Sequence, residues 1–372
     1  MIASQSEYYI TEIRLPDHNL RGALPGSMGS FVYLEYLSFR LNYLTSTIPA
    51  SIGNIPRLLV LDVLGNQLTG SIPASIGNLT QLRILTLERN RLQGHIPPSL
   101  GKLTHLETIA LGNNHLTGTF PSALSGMQSL QHLLIPFNRI SGSLPSSFSA
   151  LTAMATFNVW NNSLDGPVPD FLCVMPALVS ITLGYNFFGS SLSACLSALP
   201  VLQYVNFFHN QLTGTLPASY ASMPQLTILY LNHNNMHGSL DVLCEVRSVE
   251  QIYVEINSFS GTVPSCFTSL AGLDSAFLGT NYFTGPIPVD WSDIQHLKFV
   301  DLSHNLVTGA LPPRLSNITN LQFLYLNDNF LTGTVPTSYA RLSMLTLLLL
   351  QHNQLTGPIH SVFNVSTQKV LD

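Results

Sequence analysis

The sequence predicts an α/β solenoid of about 15 coils of 24 residues, each carrying one short parallel strand on an inner face and a tight 3-10 or irregular turn on the outer face. Three observations predict it. One string recurs at a fixed step, apolar residues alternate along it as in a half-buried strand, and glycine and proline fall at fixed offsets. The stretch Leu58–Pro73, LLVLDVLGNQLTGSIP, is one such unit. Its Asn66 position recurs at His18, Asn42, Asn90, Asn114, Asn138, Asn162, Asn186, Asn210, Asn234, Asn257, Asn281, Asn305, Asn329 and Asn353. Every step is 24 residues except that from Asn234 to Asn257, which is 23.

Within a coil, the apolar residues before the asparagine point inward and the residues between them point out. One coil cannot bury its apolar edge alone, so it stacks on its neighbours. An asparagine amide supplies two donors and an acceptor, enough for a column of them to satisfy buried backbone groups from coil to coil. Four residues later, thirteen of fifteen coils carry glycine; Ser46 and Ser190 are the exceptions. Three further on, twelve carry proline, and Ser193, Asp241 and His360 break that column. The copies around Asn186 and after Asn234 are the irregular ones, which fits either a defect beside a binding face or drift.

The string LxxLxLxxNxLxGxIPxxLGxL resembles the plant-type leucine-rich repeats of receptor-kinase ectodomains and polygalacturonase-inhibiting proteins. Asn66–Pro73 and Leu116–Pro121 match it closely, and the likeness covers nearly the whole chain. Pro217–Met223 and Pro288–Ile294 are also similar to repeats of kinetoplastid surface antigens. The resemblance implies a curved right-handed superhelix, with the sheet on the concave face. It specifies architecture well and ligand poorly.

The unbroken period argues for one solenoid over residues 10–369, with residues 1–9 as an extension and residues 370–372 opening a further repeat, so the chain reads as a fragment. Residues 1–9 hold no cysteine cap, unlike most plant-type ectodomains. Net charge is −5 and charged residues are 9% of the chain, which argues against nucleic acid. No apolar run reaches the ~18 residues of a membrane span, and the opening MIASQSEYYI does not have the make-up of a signal peptide.

The four cysteines form two pairs, Cys173 with Cys195 and Cys244 with Cys266, each 22 residues apart at near-equivalent places in successive coils. Stacked coils lie about 4.8 Å apart, within disulfide reach, whereas Cys195 to Cys244 would cross two coils. Two disulfides are therefore expected, in an extracellular or cell-surface setting. Sequons at Asn78, Asn161, Asn317 and Asn364 agree with secretion.

Side chains six, four, two and one before each ladder residue, and one after it, should line the inner face, where residues 24 apart become neighbours. That rule gathers Trp160, Tyr185, Phe208, His209, Tyr230, His233, Tyr253, Phe277, Tyr282 and Tyr325, beside Phe137, Phe187, Tyr204 and Asp301. Exposed rings in a row mark a surface that binds. The first coils instead expose Arg40, Glu88, Arg89 and Arg91. His209 and His233 would be neighbours, but no carboxylate or cysteine completes a metal site, and His304 and His352 repeat the position alone. No phosphate loop, nucleophile elbow or HExxH occurs, and an open, wet face gives no carboxylate the environment of a general acid.

The expectation is a non-enzymatic recognition module, without cofactor, binding a peptide, protein or glycan on its aromatic face. The rings would give contact area, and Asn206, Asn232 and Gln351 hydrogen bonds. Two rivals stand: an inhibitor of a secreted wall-degrading enzyme, and a passive glycosylated coat or adhesin scaffold. A threonine row (Thr69, Thr117, Thr213, Thr284, Thr308, Thr332, Thr356) raises ice binding as a remote third, although Gln93, Ser141, Asp165 and His237 interrupt it.

Overall fold

The computed structural model describes residues 9–357 and the backbone of 370–371. The chain divides between Phe187 and Phe188 into two compact units. In the first, the strand ahead of each ladder residue runs parallel to the next, from Glu12–Arg14 through Tyr36–Ser38, Val60–Asp62, Ile84–Thr86, Thr108–Ala110, His132–Leu134 and Thr156–Asn158 to Ser180–Thr182. In the second, the same ladder runs from Tyr204–Asn206 through Ile228–Tyr230, Gln251–Tyr253, Ser275–Phe277, Phe299–Asp301 and Phe323–Tyr325 to Leu347–Leu349 and Val370–Leu371. Partners across the ladder are 24 residues apart, as Tyr36 and Val60 are. At the short coil they are 23 apart and still in register, with Tyr230 opposite Tyr253.

The asparagine column does what its chemistry predicts. Asn114 Oδ1 accepts from the Leu92 N–H at 2.9 Å, while Nδ2 donates to the Leu87 carbonyl at 3.1 Å and to its own coil's Leu111 carbonyl at 3.0 Å. The residue before each ladder position is left-handed in every coil: φ is 51° to 57° in fourteen and 69° at Gly65. Two bonds force it there. Arg89 N–H reaches the Gly112 carbonyl (2.9 Å) and Asn90 N–H the Asn113 carbonyl (3.2 Å), and the pattern repeats along the chain. The structure over-determines a conformation that costs a non-glycine residue of order 1–2 kcal/mol.

The glycine column has the same cause, with φ between 69° and 98° at every described position, Ser46 and Ser190 included. The proline column enters fourteen five-residue 3-10 helices among the described residues, and its prolines cap them at φ near −65°. Ser193 holds the proline conformation without a proline, at φ −75° and ψ 129°. The deletion after Asn234 removes that capping residue, and Leu240 takes the place at φ −99° and ψ 7°. The missing residue is absorbed at the outer turn, so the strand face passes through undisturbed.

Between the ladder strand and the 3-10 helix the described coils also make a second short strand, such as Ser163–Pro167 and Tyr282–Pro286, reduced to a single bridge at Thr69 in the coil of Asn66, which the one-strand expectation missed. These pair coil to coil within each unit. The third residue of each 3-10 helix is buried, and five of them are aromatic: Phe148, Tyr220, Phe267, Trp291 and Tyr339. Tyr220, Trp291 and Tyr339 fill a leucine place because each polar atom finds the carbonyl 27 residues earlier, that of Ser193, Pro264 and Pro312 respectively. Among the described residues no helix is long and apolar enough to cross a membrane.

Candidate functional site

The second unit carries the fullest row of rings. Tyr230, Tyr253 and Phe277 close successive ladder strands in direct register. Their rings lie nearly parallel, with centroids 4.3 Å apart for Tyr230 and Tyr253 and 4.6 Å for Tyr253 and Phe277. All three are half-buried, and Tyr253 is stacked on both faces. The row extends to Tyr204, 5.8 Å from Tyr230, and to Phe299, 6.1 Å from Phe277. Phe299 stacks on Phe323 at 4.9 Å, and Phe323 meets Tyr325 edge-on at 6.2 Å. Phe299 and Phe323 stand six before Asn305 and Asn329, a position already assigned to the face, so column arithmetic alone could have found them.

Phe208 meets the His233 ring edge-on at 5.0 Å, and His209 stacks on His233 at 5.7 Å. Both histidines occupy the left-handed turn position. Burial, and then the neighbouring His209, hold the His233 ring below its ordinary pKa. Further along the same column, Asp328 lies between His304 (3.4 Å) and His352 (2.7 Å). An Asn327 hydrogen bond holds its carboxyl below the usual range.

Two carboxyls enter the face among the rings. Glu255 stands two before Asn257, and burial pushes it up to about 8, with the Asp301 charge adding to the rise. Asp301 is opposite Phe277 in the ladder. Burial raises it too, opposed by bonds from Ser303 Oγ (2.6 Å) and N–H (2.8 Å). Burial also raises the Tyr230, Tyr253 and Tyr325 hydroxyls, so they remain protonated donors. Asn206 orients Tyr204 by donating to its hydroxyl at 3.1 Å.

The first unit has its own smaller cluster. Trp160 meets Phe137 at 4.8 Å and Tyr185 at 5.2 Å, both edge-on. Tyr185 is 37% exposed. In the charged zone, Glu88 and Arg89 approach to 3.8 Å at the surface, and Asn113 donates to Glu88 at 3.4 Å.

Not every expected residue joins these rows. Tyr282 opens a second-row strand, 55% exposed, instead of belonging to the ladder strands. Asn78 and Asn317 end 3-10 helices and are exposed, Asn161 is half-buried in the left-handed turn, and Asn364 lies outside the described residues. Threonines of the second strands donate back to the preceding coil, as Thr117 does to the Gly94 carbonyl (3.4 Å) and Thr284 to that of Gly261 (3.1 Å).

Cys244 and Cys266 form a disulfide, and among the described residues no cysteine, Cys173 and Cys195 included, is a free thiol. This fits an oxidising compartment. Asp241 stands beside that disulfide, but both sulfurs are spent on each other and offer a metal nothing.

A family model described as a leucine-rich repeat region matches residues 18–275, and a leucine-rich-repeat model matches 296–318 and 320–342. The chain belongs to the leucine-rich-repeat family. Among solved structures, this leucine-rich-repeat chain is similar to the plant peptide hormone receptor RGFR1 in complex with RGF2. Identity is 31%, over 91% of this chain and 54% of that one, with a TM-score of 0.87. It is similar also to the Arabidopsis receptor kinase HAESA in complex with the peptide hormone IDA and the co-receptor SERK1, at 31% identity over 91% and 57%, with a TM-score of 0.86. It thus spans little more than half the length of either receptor chain. A Leptospira interrogans leucine-rich-repeat protein shares the fold at 23% identity over 98% and 95%, with a TM-score of 0.77. No curated protein matches the chain in sequence.

Proposed function

We propose that this chain is an extracellular or cell-surface recognition module that binds an extended peptide, or a protein segment, across the ladder strands of its second unit. The observation that carries the reading is the register-aligned row Tyr230–Tyr253–Phe277, continued by Phe299 and Phe323. Stacked, half-exposed rings offer large contact area at little entropic loss. Two relatives at 31% identity, RGFR1 and HAESA, are described in complex with RGF2 and with the peptide hormone IDA. The disulfide supports the compartment. The face is open and built of contacts, so the work is binding and not catalysis.

Selection of a random displayed peptide library on the intact chain tests this. Binders should be enriched, and Tyr253→Ala and Phe277→Ala should each weaken a selected peptide by more than about 1 kcal/mol. No enrichment, or full affinity in both variants, would refute it.

A further inference from the structure

The ladder-strand face of the second unit has an unmatched demand for hydrogen-bond donors. Among the described residues, five buried side-chain polar atoms have no partner: Trp160 Nε1, Asn232 Oδ1, Glu255 Oε2, Asn327 Oδ1 and Gln351 Oε1. Every one stands two before a ladder residue. The four in the second unit are all oxygens, and Asn327 is only 7% exposed. A buried acceptor without a donor is costly, so the four along this column, at Asn232, Glu255, Asn327 and Gln351, must be satisfied from outside the chain. An unfilled column of this kind suits a partner that brings the donors.

The same column has a gap. Gly279 stands between Glu255 and Ser303, where neighbouring coils carry side chains. A Cβ there would lie 2.8 Å from both carboxylate oxygens of Asp301, so that carboxyl leans over the bare backbone from one side. Glu255, one coil back, brings the second carboxyl close enough for Asp301 to oppose its ionisation. The rings of Tyr253 and Phe277 stand alongside.

Among the described residues, no cation of the chain pairs with these two carboxyls. No lysine or arginine stands six, four, two or one before, or one after, any ladder residue from Asn210 to Asn353. Lys298, just outside those columns, pairs with Asp274 at 3.5 Å. The histidines of the face touch one another or Asp328.

We propose that the Glu255 and Asp301 carboxyls, on either side of Gly279, together receive a basic side chain of the bound peptide, whose remaining donors run along the Asn232-to-Gln351 column. This rests on the peptide reading above and narrows it to a ligand with arginine or lysine. The N–H groups of the basic side chain reach the carboxyls, and its apolar stem packs along the exposed edges of the Tyr253 and Phe277 rings.

The test runs the same library selection in parallel on the wild-type chain, Glu255→Gln and Asp301→Asn, with thermal melts to confirm that each variant is folded. A selected peptide is then remade with citrulline for arginine, or norleucine for lysine. Wild-type binders should share a basic residue that the Glu255→Gln selection lacks. The neutral replacement should weaken wild-type binding roughly tenfold or more, and Glu255→Gln binding much less. A wild-type consensus without basic residues, or citrulline binding as well as arginine, overturns the inference while leaving peptide binding intact. Failure of any peptide to bind overturns both.

Discussion

At the residue scale, single backbone conformations and single partners decide most of what the repeat does. Ser46 holds a left-handed φ of 69° where most coils place glycine. Ser46→Gly should raise unfolding stability by about 0.5–1 kcal/mol in urea titration, strain relief outweighing the entropy of the freer unfolded chain. Gly118→Ala should cost more than that in the other direction, because its φ is 79° and the new Cβ would lie 2.5 Å from the His95 ring. Asn114→Leu strands the Leu92 N–H and leaves the Leu87 and Leu111 carbonyls only the neighbouring Asn90 and Asn138 amides, and should destabilise by roughly 1–3 kcal/mol in the same assay. Glu255 carries a pH signature. Its ordinary value of 4.5 rises to about 8 in the fold, so the native state holds that proton more tightly than the unfolded chain. Stability therefore falls as pH climbs from 4.5 to 8 and is level on either side. The raised Asp301 acts in the same direction. The melting temperature of Glu255→Gln relative to wild type should climb across that window; parallel profiles would contradict the assignment.

At the scale of the element, the coil was legible wherever a rule is local. Asparagine's amide, the glycine and proline offsets and the apolar spacing each name a backbone shape, so the ladder, the glycine turn and the 3-10 helix could be read directly. The left-handed residue before each asparagine, held by Leu41, Arg89, Phe137 or Ile256, carries no residue-type signal. The second strand was not legible. Ser163–Pro167 carries no strand pattern of its own and pairs only because its neighbour does. Glu255 was missed for a related reason: in a column of Phe208, Asn232, Gly279 and Ser303 it breaks no pattern, and its importance comes from burial and from a partner that is absent. The outer turn of the short coil is where a covalent tie has most to hold. Replacing Cys244 and Cys266 by serine should lower stability by about 3 kcal/mol, as for a loop of this length. Binding should survive, because the strands on either side keep register without the deleted residue. Loss of binding at full stability would give that bridge a functional role instead.

At the scale of the molecule, repetition turns positions 24 residues apart into neighbours, and so a residue list becomes a surface. Column arithmetic placed Tyr230, Tyr253 and Phe277 side by side correctly, since a solenoid's contacts follow from its period. It could not tell which of Tyr282's two possible strands owns that ring, nor show which polar atoms remain unpaired, because both depend on side-chain packing. The proposed acid-and-ring face of the second unit predicts a directional preference: cationic, donor-rich and extended ligands over anionic ones. The most direct measurement is hydroxyl-radical footprinting of the intact chain with and without a selected basic peptide. Tyr230, Tyr253 and Phe277 should lose reactivity on binding while the second-row rings Tyr282 and Phe330 keep theirs. Protection of the second-row rings with the stacked row unchanged would contradict the central claim.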